Sequence, residues 1–243
     1  MICHELNLIF IHIPKTAGQS IESQLIIMSG NKERSNYLLG ANPDPKKGGP
    51  FLDHLLWNEY IDYGYISSET YDKYYKFSFV RNPWFRLVSE YRYRKRLWVN
   101  YTFRDWVVEH FPSDVDSDEW RHIIPQHKYI YDDGKLAKVN FIGKYENLNE
   151  DFALLMKEIG LPHNTSLPHV NKSLSSESKG VIKKVLDKVK FNILKILSKE
   201  KFHKKYLNYY NKELWDYVGK LYVDDIHLFG YTDYLSFDYA TSI

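Results

Sequence analysis

The stretch LNLIFIHIPKTAGQSIESQLIIM, residues 6–28, decides the fold. Residues 6–13 form a short apolar run rich in β-branched side chains, the pattern of a buried strand. Residues 14–18 break it. From Gln19 the apolar positions Ile21, Leu25 and Met28 recur at helical spacing until Gly30 ends the helix. A strand feeding a tight loop and then a helix aims backbone N–H groups and the positive helix end at one point. Gly18 permits a close backbone approach, Lys15 brings a point charge, and Thr16 and Ser20 add hydroxyls. The combination suits a phosphate. The loop is P-loop-like but is no Walker A loop, because GxxxxGK[ST] is absent. Taken alone, it leaves a plainer reading open, a strand-to-helix turn with a solvated Lys.

A second segment, FSFVRNPWFRLVSEY (77–91), repeats the arrangement. Residues 74–80 alternate as a strand does, and a helix is expected over 84–97 with Pro83 near its first turn. Arg81 leaves the strand end, and Ser89 lies eight residues on, two turns into the helix. Arg offers a planar fork to a phosphate and Ser a hydroxyl. In isolation these would be a surface Arg and a solvent-facing Ser. Ligands of open α/β sheets bind at the C-terminal ends of strands, so two such positions together suggest a nucleotide with phosphates at both ends.

The rest of the chain alternates in the same way. Residues 31–50 read as an exposed excursion, 54–60 as a short helix, 103–111 as a helix and 112–119 as an acidic loop. A turn is expected at 132–134, a strand over 139–143, an amphipathic helix over 150–159 and a last helical region over 206–229. Strands alternating with helices imply an α/β fold, a mainly parallel central sheet flanked by helices. No linker or repeat divides the chain, so residues 1–243 are expected to form a single domain.

Composition narrows the classes. No stretch approaches the ~18 apolar residues of a membrane span, and no basic region followed by a long apolar run marks a secretory signal. The single Cys3 excludes an internal disulfide and suits a reducing, cytoplasmic setting. No Cys/His cluster has zinc-ligand spacing, so no structural metal is expected. Aromatic residues make up 16% of the chain, a surplus expected to line a cleft or coat a surface. Charge is uneven: residues 172–205 hold eleven Lys against three acidic residues, leaving 22 basic and 28 acidic residues elsewhere. A local basic block on an acidic body argues against bulk nucleic-acid binding. Residues 181–197 carry an apolar stripe opposite the lysines, a basic amphipathic helix.

The motifs resemble those of sulfotransferases that use 3′-phosphoadenosine-5′-phosphosulfate (PAPS). HIPKTAGQS is similar to their 5′-phosphosulfate loop, and FVRNPWFRLVSEY to their 3′-phosphate strand and helix. NFIGKYENLNEDF (140–152), PHVNKS (168–173) and residues 209–231 resemble the carbohydrate branch, the heparan 2-O- and chondroitin-type enzymes with their bacterial relatives. The resemblance implies that Lys15 stabilises charge on the departing phosphate, while Thr16, Ala17, Gly18, Gln19 and Ser20 surround the 5′-phosphate. Arg81 and Ser89 would hold the 3′-phosphate, and Asn171 and Ser173 would belong to a loop closing over the nucleotide. It implies a carbohydrate or other hydroxyl acceptor, 3′,5′-ADP as product and no metal. His54, between the two phosphate motifs where related enzymes place a catalytic His, is the candidate general base. Its rivals are His12, His127, Asp53 and Glu59, and Glu146 reads as structural.

The chain departs from the family at about 174–205, where the basic helix is inserted. Packing on the body, a lid, contact with an anionic glycan and peripheral membrane contact are the readings it allows. Two other functions remain at this point. A nucleotide kinase-like phosphoryl transferase would need a Walker A loop and a Mg²⁺-binding hydroxyl. A non-catalytic nucleotide-binding or membrane-surface module would keep the fold without the chemistry.

Overall fold

A computed structural model describes residues 1–30, 34–44, 46–95, 100–133, 135–136, 139–162, 167 and 205–242. Asn171, Ser173 and the basic helix expected over 181–197 lie outside the described residues. The described strands are β1 (Ile2–Cys3), β2 (Leu8–Ile11), β3 (Tyr75–Val80), β4 (Tyr131–Asp132), β5 (Lys135–Leu136) and β6 (Phe141–Lys144). The main sheet has the order β1-β2-β3-β6, and β4 and β5 pair as a hairpin. β1 runs antiparallel to β2, while β2, β3 and β6 are parallel, with Ile11 opposite Ser78 and Val80 opposite Lys144. The fold is the expected α/β type, a mainly parallel sheet flanked by helices.

Alternation along the strands creates two cores. Leu8 and Phe10 of β2, with Phe77 and Phe79 of β3, face Ile21 and Leu25 of α1 (Gly18–Ser29) and Phe152, Leu155 and Met156 of Leu148–Glu158. Ile9, Ile11 and Val80 join the other core, with Trp84, Leu87 and Val88 of Pro83–Arg94. The C-terminal helix Lys212–Leu221 adds Leu214, Trp215 and Val218 to that core. Successive strand residues point to opposite faces, so one short run supplies both.

Aromatic packing dominates the second core, which takes up much of the surplus. Trp84 and Trp215 stack with centroids 4.5 Å apart, and Trp84 Nε1 donates to the Trp215 carbonyl at 2.9 Å. Tyr60, Tyr71 and Tyr129 are fully buried in the same core. The 31–50 excursion also departs from expectation, since Tyr37 and Leu39 are buried and anchor it to the first core. The last helical region is broken at Tyr222 into Lys212–Leu221 and Val223–Leu228, because the buried Tyr222 hydroxyl reaches across to the Ile123 carbonyl. The acidic loop ends early, and Asp118–Ile123 is a helix capped by the Ser117 hydroxyl.

The β2–α1 junction is the tightest point of the fold. His12 Nδ1 lies 2.7 Å from Glu22 Oε1, tying the strand end to the helix, with Glu22 wholly buried. A Cβ on Gly18 would stand 1.9 Å from His12 Nε2. Gly18→Ala in a helix would ordinarily gain up to ~1 kcal/mol from propensity. Here we expect the opposite, a loss of about 1–3 kcal/mol from overpacking, read as a fall in Tm of about 2–4 °C per kcal/mol. An unchanged or raised Tm in thermal unfolding would contradict this packing.

Candidate active site

Two loops meet at the C-terminal edge of the parallel strands. The first follows β2, and in it Lys15 (φ 71°) and Ala17 (φ 74°) both adopt left-handed backbone. Such conformations are costly outside glycine and persist only where the surroundings impose them. Two buried arginines from the second motif impose them here. Arg86 Nε donates to the Pro14 carbonyl at 3.1 Å, and Arg81 Nη1 donates to the Lys15 carbonyl at 3.1 Å. With those carbonyls occupied, the loop presents N–H groups and the N-terminus of α1. Ala17 caps that helix without a side-chain bond, and its first turn holds no acidic residue. The Thr16 hydroxyl donates instead to the Ile13 carbonyl at 2.8 Å, so Thr16 closes the loop and offers an anion only its main chain.

The second loop, after β3, is braced from three sides. The Gln126 amide accepts from Arg81 N–H and donates to the Arg81 carbonyl, both at 2.8 Å. Asp225 fixes Gln126 through its N–H at 2.6 Å. Glu146 accepts from Asn82 N–H at 2.8 Å and from the Tyr231 hydroxyl at 2.9 Å, a structural role, as expected. The Arg81 guanidinium lies 4.0 Å over the Tyr145 ring and 5.2 Å from the Tyr206 ring. Ser89 sits half-buried on the following helix.

Glu90, which the sequence reading passed over, is the hub. Its carboxylate is buried and lies 2.7 Å from His122 Nδ1, 2.8 Å from Arg94 Nε and 4.0 Å from Lys15 Nζ. Burial alone would raise its pKa. The hydrogen bond and charge of His122, with the charges of Lys15 and Arg94, reverse that and hold it at about 2. Lys15 is pushed down to about 8, first by burial and then by Arg81, Arg94 and Arg86, with Glu90 opposing. Its ammonium also lies 3.9 Å over the ring of Tyr93, which is 59% exposed.

His54 ends a 3₁₀ turn, Leu52–His54, rather than lying on a helix. Arg121 holds its carbonyl at 3.1 Å, and its Nδ1 is buried without a hydrogen-bond partner. Its ring centroid is 4.8 Å from that of His12 on one side and 4.8 Å from that of His122 on the other. Burial, then the neighbouring His12 and His122, lowers its pKa well below the usual histidine value. Lys15, Glu90, His122 and His54 therefore form a continuous row.

The rival bases are engaged elsewhere. His12 has the structural bond expected of it, to Glu22, and His127 Nδ1 pairs with Asp225 at 2.8 Å. Asp53 accepts from Gly40 N–H at 2.7 Å, and Glu59 makes two 2.7 Å bonds to Arg121. His122 was one of ten histidines, with nothing in its local sequence to distinguish it. Glu90 could have been noticed, because it follows Ser89 and stands four residues before Arg94.

Comparison with known proteins agrees with this arrangement. The profile of the sulfotransferase family matches residues 1–232. An uncharacterized protein of Archaeoglobus fulgidus is 38% identical over 100 residues, covering 40% of this chain and 77% of that protein. No solved structure matches the chain. With nearly the whole chain under that profile, and its two strand-end loops locked together at one sheet edge, the protein belongs to the sulfotransferase family.

Proposed function

We propose that the protein transfers a sulfuryl group from PAPS to an acceptor hydroxyl, on a carbohydrate, through one sulfotransferase domain. The observation that carries this reading is the bond from the Arg81 guanidinium to the Lys15 carbonyl, which places the two phosphate-type motifs side by side. A donor with a 5′-phosphosulfate and a 3′-phosphate has an anion for each. Among the described residues no helix is long and apolar enough to cross a membrane. That, with a single buried cysteine, suits a cytoplasmic enzyme.

Transfer breaks the S–O bond to the 5′-phosphate and forms one to the acceptor oxygen, with 3′,5′-ADP leaving. Through a loose, in-line transition state, positioning and charge stabilisation do most of the catalysis. Residues 15–20 receive the 5′-phosphate, and Arg81 and Ser89 the 3′-phosphate. Lys15 meets the growing negative charge on the bridging oxygen. It leaves its place between Glu90 and Tyr93 to do so, and the incoming anion favours its charged form. The acceptor proton passes to the neutral ring of His54. A phosphoryl transferase would need the Walker A pattern, which the loop lacks, and a Mg²⁺-binding hydroxyl, whereas that of Thr16, next to Lys15, is engaged with the Ile13 carbonyl.

Thermal unfolding with 3′,5′-ADP tests the donor. At ~100 times its dissociation constant the ligand should add about 2.7 kcal/mol of stability without added metal, and ATP should add far less. No shift, or one that needs ATP and Mg²⁺, would refute the assignment.

Variants separate the roles. Arg81→Ala should weaken nucleotide binding by roughly 1.5–3 kcal/mol, the value of a charge-assisted contact. Lys15→Ala should mainly lower kcat, and His54→Ala should lower kcat by ~10²–10⁴-fold while keeping 3′,5′-ADP affinity. Lys15 must be charged to act, so wild-type kcat/KM should fall as pH rises through about 8, the value in the free protein. That alkaline limb should disappear in Lys15→Ala. If binding and rate fall together in all three variants, or the limb persists, the division of roles is wrong.

A further inference from the structure

We propose that His54, Asp118 and His122 form a binding site for a single divalent transition cation, with Zn²⁺ the ion their chemistry favours. One ligand atom from each lies within 4.8 Å of the others. Asp118 and His122 stand four residues apart on the helix Asp118–Ile123, so both side chains leave the same face. Between His122 Nε2 and Asp118 Oδ1 the distance is 3.4 Å. A tetrahedral ion with bonds of about 2.0–2.1 Å spans an edge of about 3.3 Å. His54 comes from a separate turn and brings a ring nitrogen to the same point as the third ligand.

The neighbours hold these ligands ready. His122 Nδ1 is taken by Glu90 at 2.7 Å, which leaves Nε2 facing Asp118. A carboxylate behind a metal-binding imidazole fixes its tautomer and orientation. Asp118 is likewise gripped by Arg94 through its other oxygen, Oδ2. Two imidazoles and one carboxylate suit Zn²⁺ rather than Mg²⁺ or Ca²⁺, and three protein ligands leave a fourth position open. His54 and Asp118 are only half-buried, so the ion has a way in.

Metal binding stands apart from the proposed sulfuryl transfer; only one consequence rests on that reading. If His54 takes the acceptor proton, an ion on its ring occupies the base, and Zn²⁺ inhibits the enzyme.

The test is isothermal titration of EDTA-stripped protein with ZnCl₂ alone. It should give one site per chain, and MgCl₂ none. His54→Ala, His122→Ala and Asp118→Asn should each weaken Zn²⁺ at least tenfold, whereas His227→Ala, at an exposed histidine, should not. Titrating the same preparations with 3′,5′-ADP separates the two proposals. Zn²⁺ binding without nucleotide binding keeps this site and removes the proposed donor; the converse removes the site alone. Since His122→Ala strips Glu90 of a partner, the wild-type chain with Co²⁺ supplies a check free of substitutions. It should give the intense visible absorption of tetrahedral Co²⁺, discharged by one equivalent of Zn²⁺. Absence of Zn²⁺ binding, equal affinity in all four variants, or only the weak absorption of six-coordinate Co²⁺ would overturn the site.

Discussion

Two guanidinium groups that hold two carbonyl oxygens set the rest of the structure. Arg86 on Pro14 and Arg81 on Lys15 draw the loop's acceptors away from the sheet edge. A loop with left-handed Lys15 and Ala17 would otherwise relax, since each such residue costs of order 1–3 kcal/mol. The same arginines fix the relative placement of the two strand ends, because each belongs to the β3 side and bonds to the β2 side. Arg86 extends the tie to the Ile124 and His122 carbonyls at 2.8 and 2.9 Å. The imidazole of His122 is therefore positioned from the same centre as the phosphate-type loop.

Burying this much charge requires compensation, and Glu90 supplies it. A carboxylate removed from water is stable only with partners that satisfy its oxygens. Glu90 has His122 and Arg94 in direct contact and Lys15 at 4.0 Å. Lys15 is the loosest member of that set, and in the proposed reaction it turns toward the incoming anion while His122 and Arg94 keep Glu90 satisfied. A lysine kept partly desolvated, with its pKa lowered to about 8, gains more from a phosphate than one already in water. On the proposed reading, structural stability and readiness for the donor draw on the same ion cluster.

What was legible in the sequence followed from local physics. The apolar run before Pro14, the helical spacing after Gln19 and the left-handed Gly30 (φ 78°) that ends α1 are all encoded within about 25 residues. The Arg81 strand end was equally local, as was Pro83 in the first turn of the following helix. Long-range pairing was not legible. His54 and His122 are far apart in the chain, and their segments meet through a shared core and the bond from Arg121 to the His54 carbonyl. No periodicity records that contact. The break at Tyr222 is of the same kind, a single aromatic side chain whose hydroxyl finds a distant partner in the Ile123 carbonyl. Glu90 was hidden differently: its position on an amphipathic helix reads as surface until the opposing face is known.

The account rests on two anion positions joined at one sheet edge, and a crystal structure of the complex with 3′,5′-ADP, grown without added metal, examines that most directly. It should place the 5′-phosphate over residues 15–20, with the Lys15 ammonium swung from Glu90 toward it, and the 3′-phosphate against Arg81 and Ser89. A nucleotide bound in the reverse sense, or bound away from the Lys15 loop, would contradict the account.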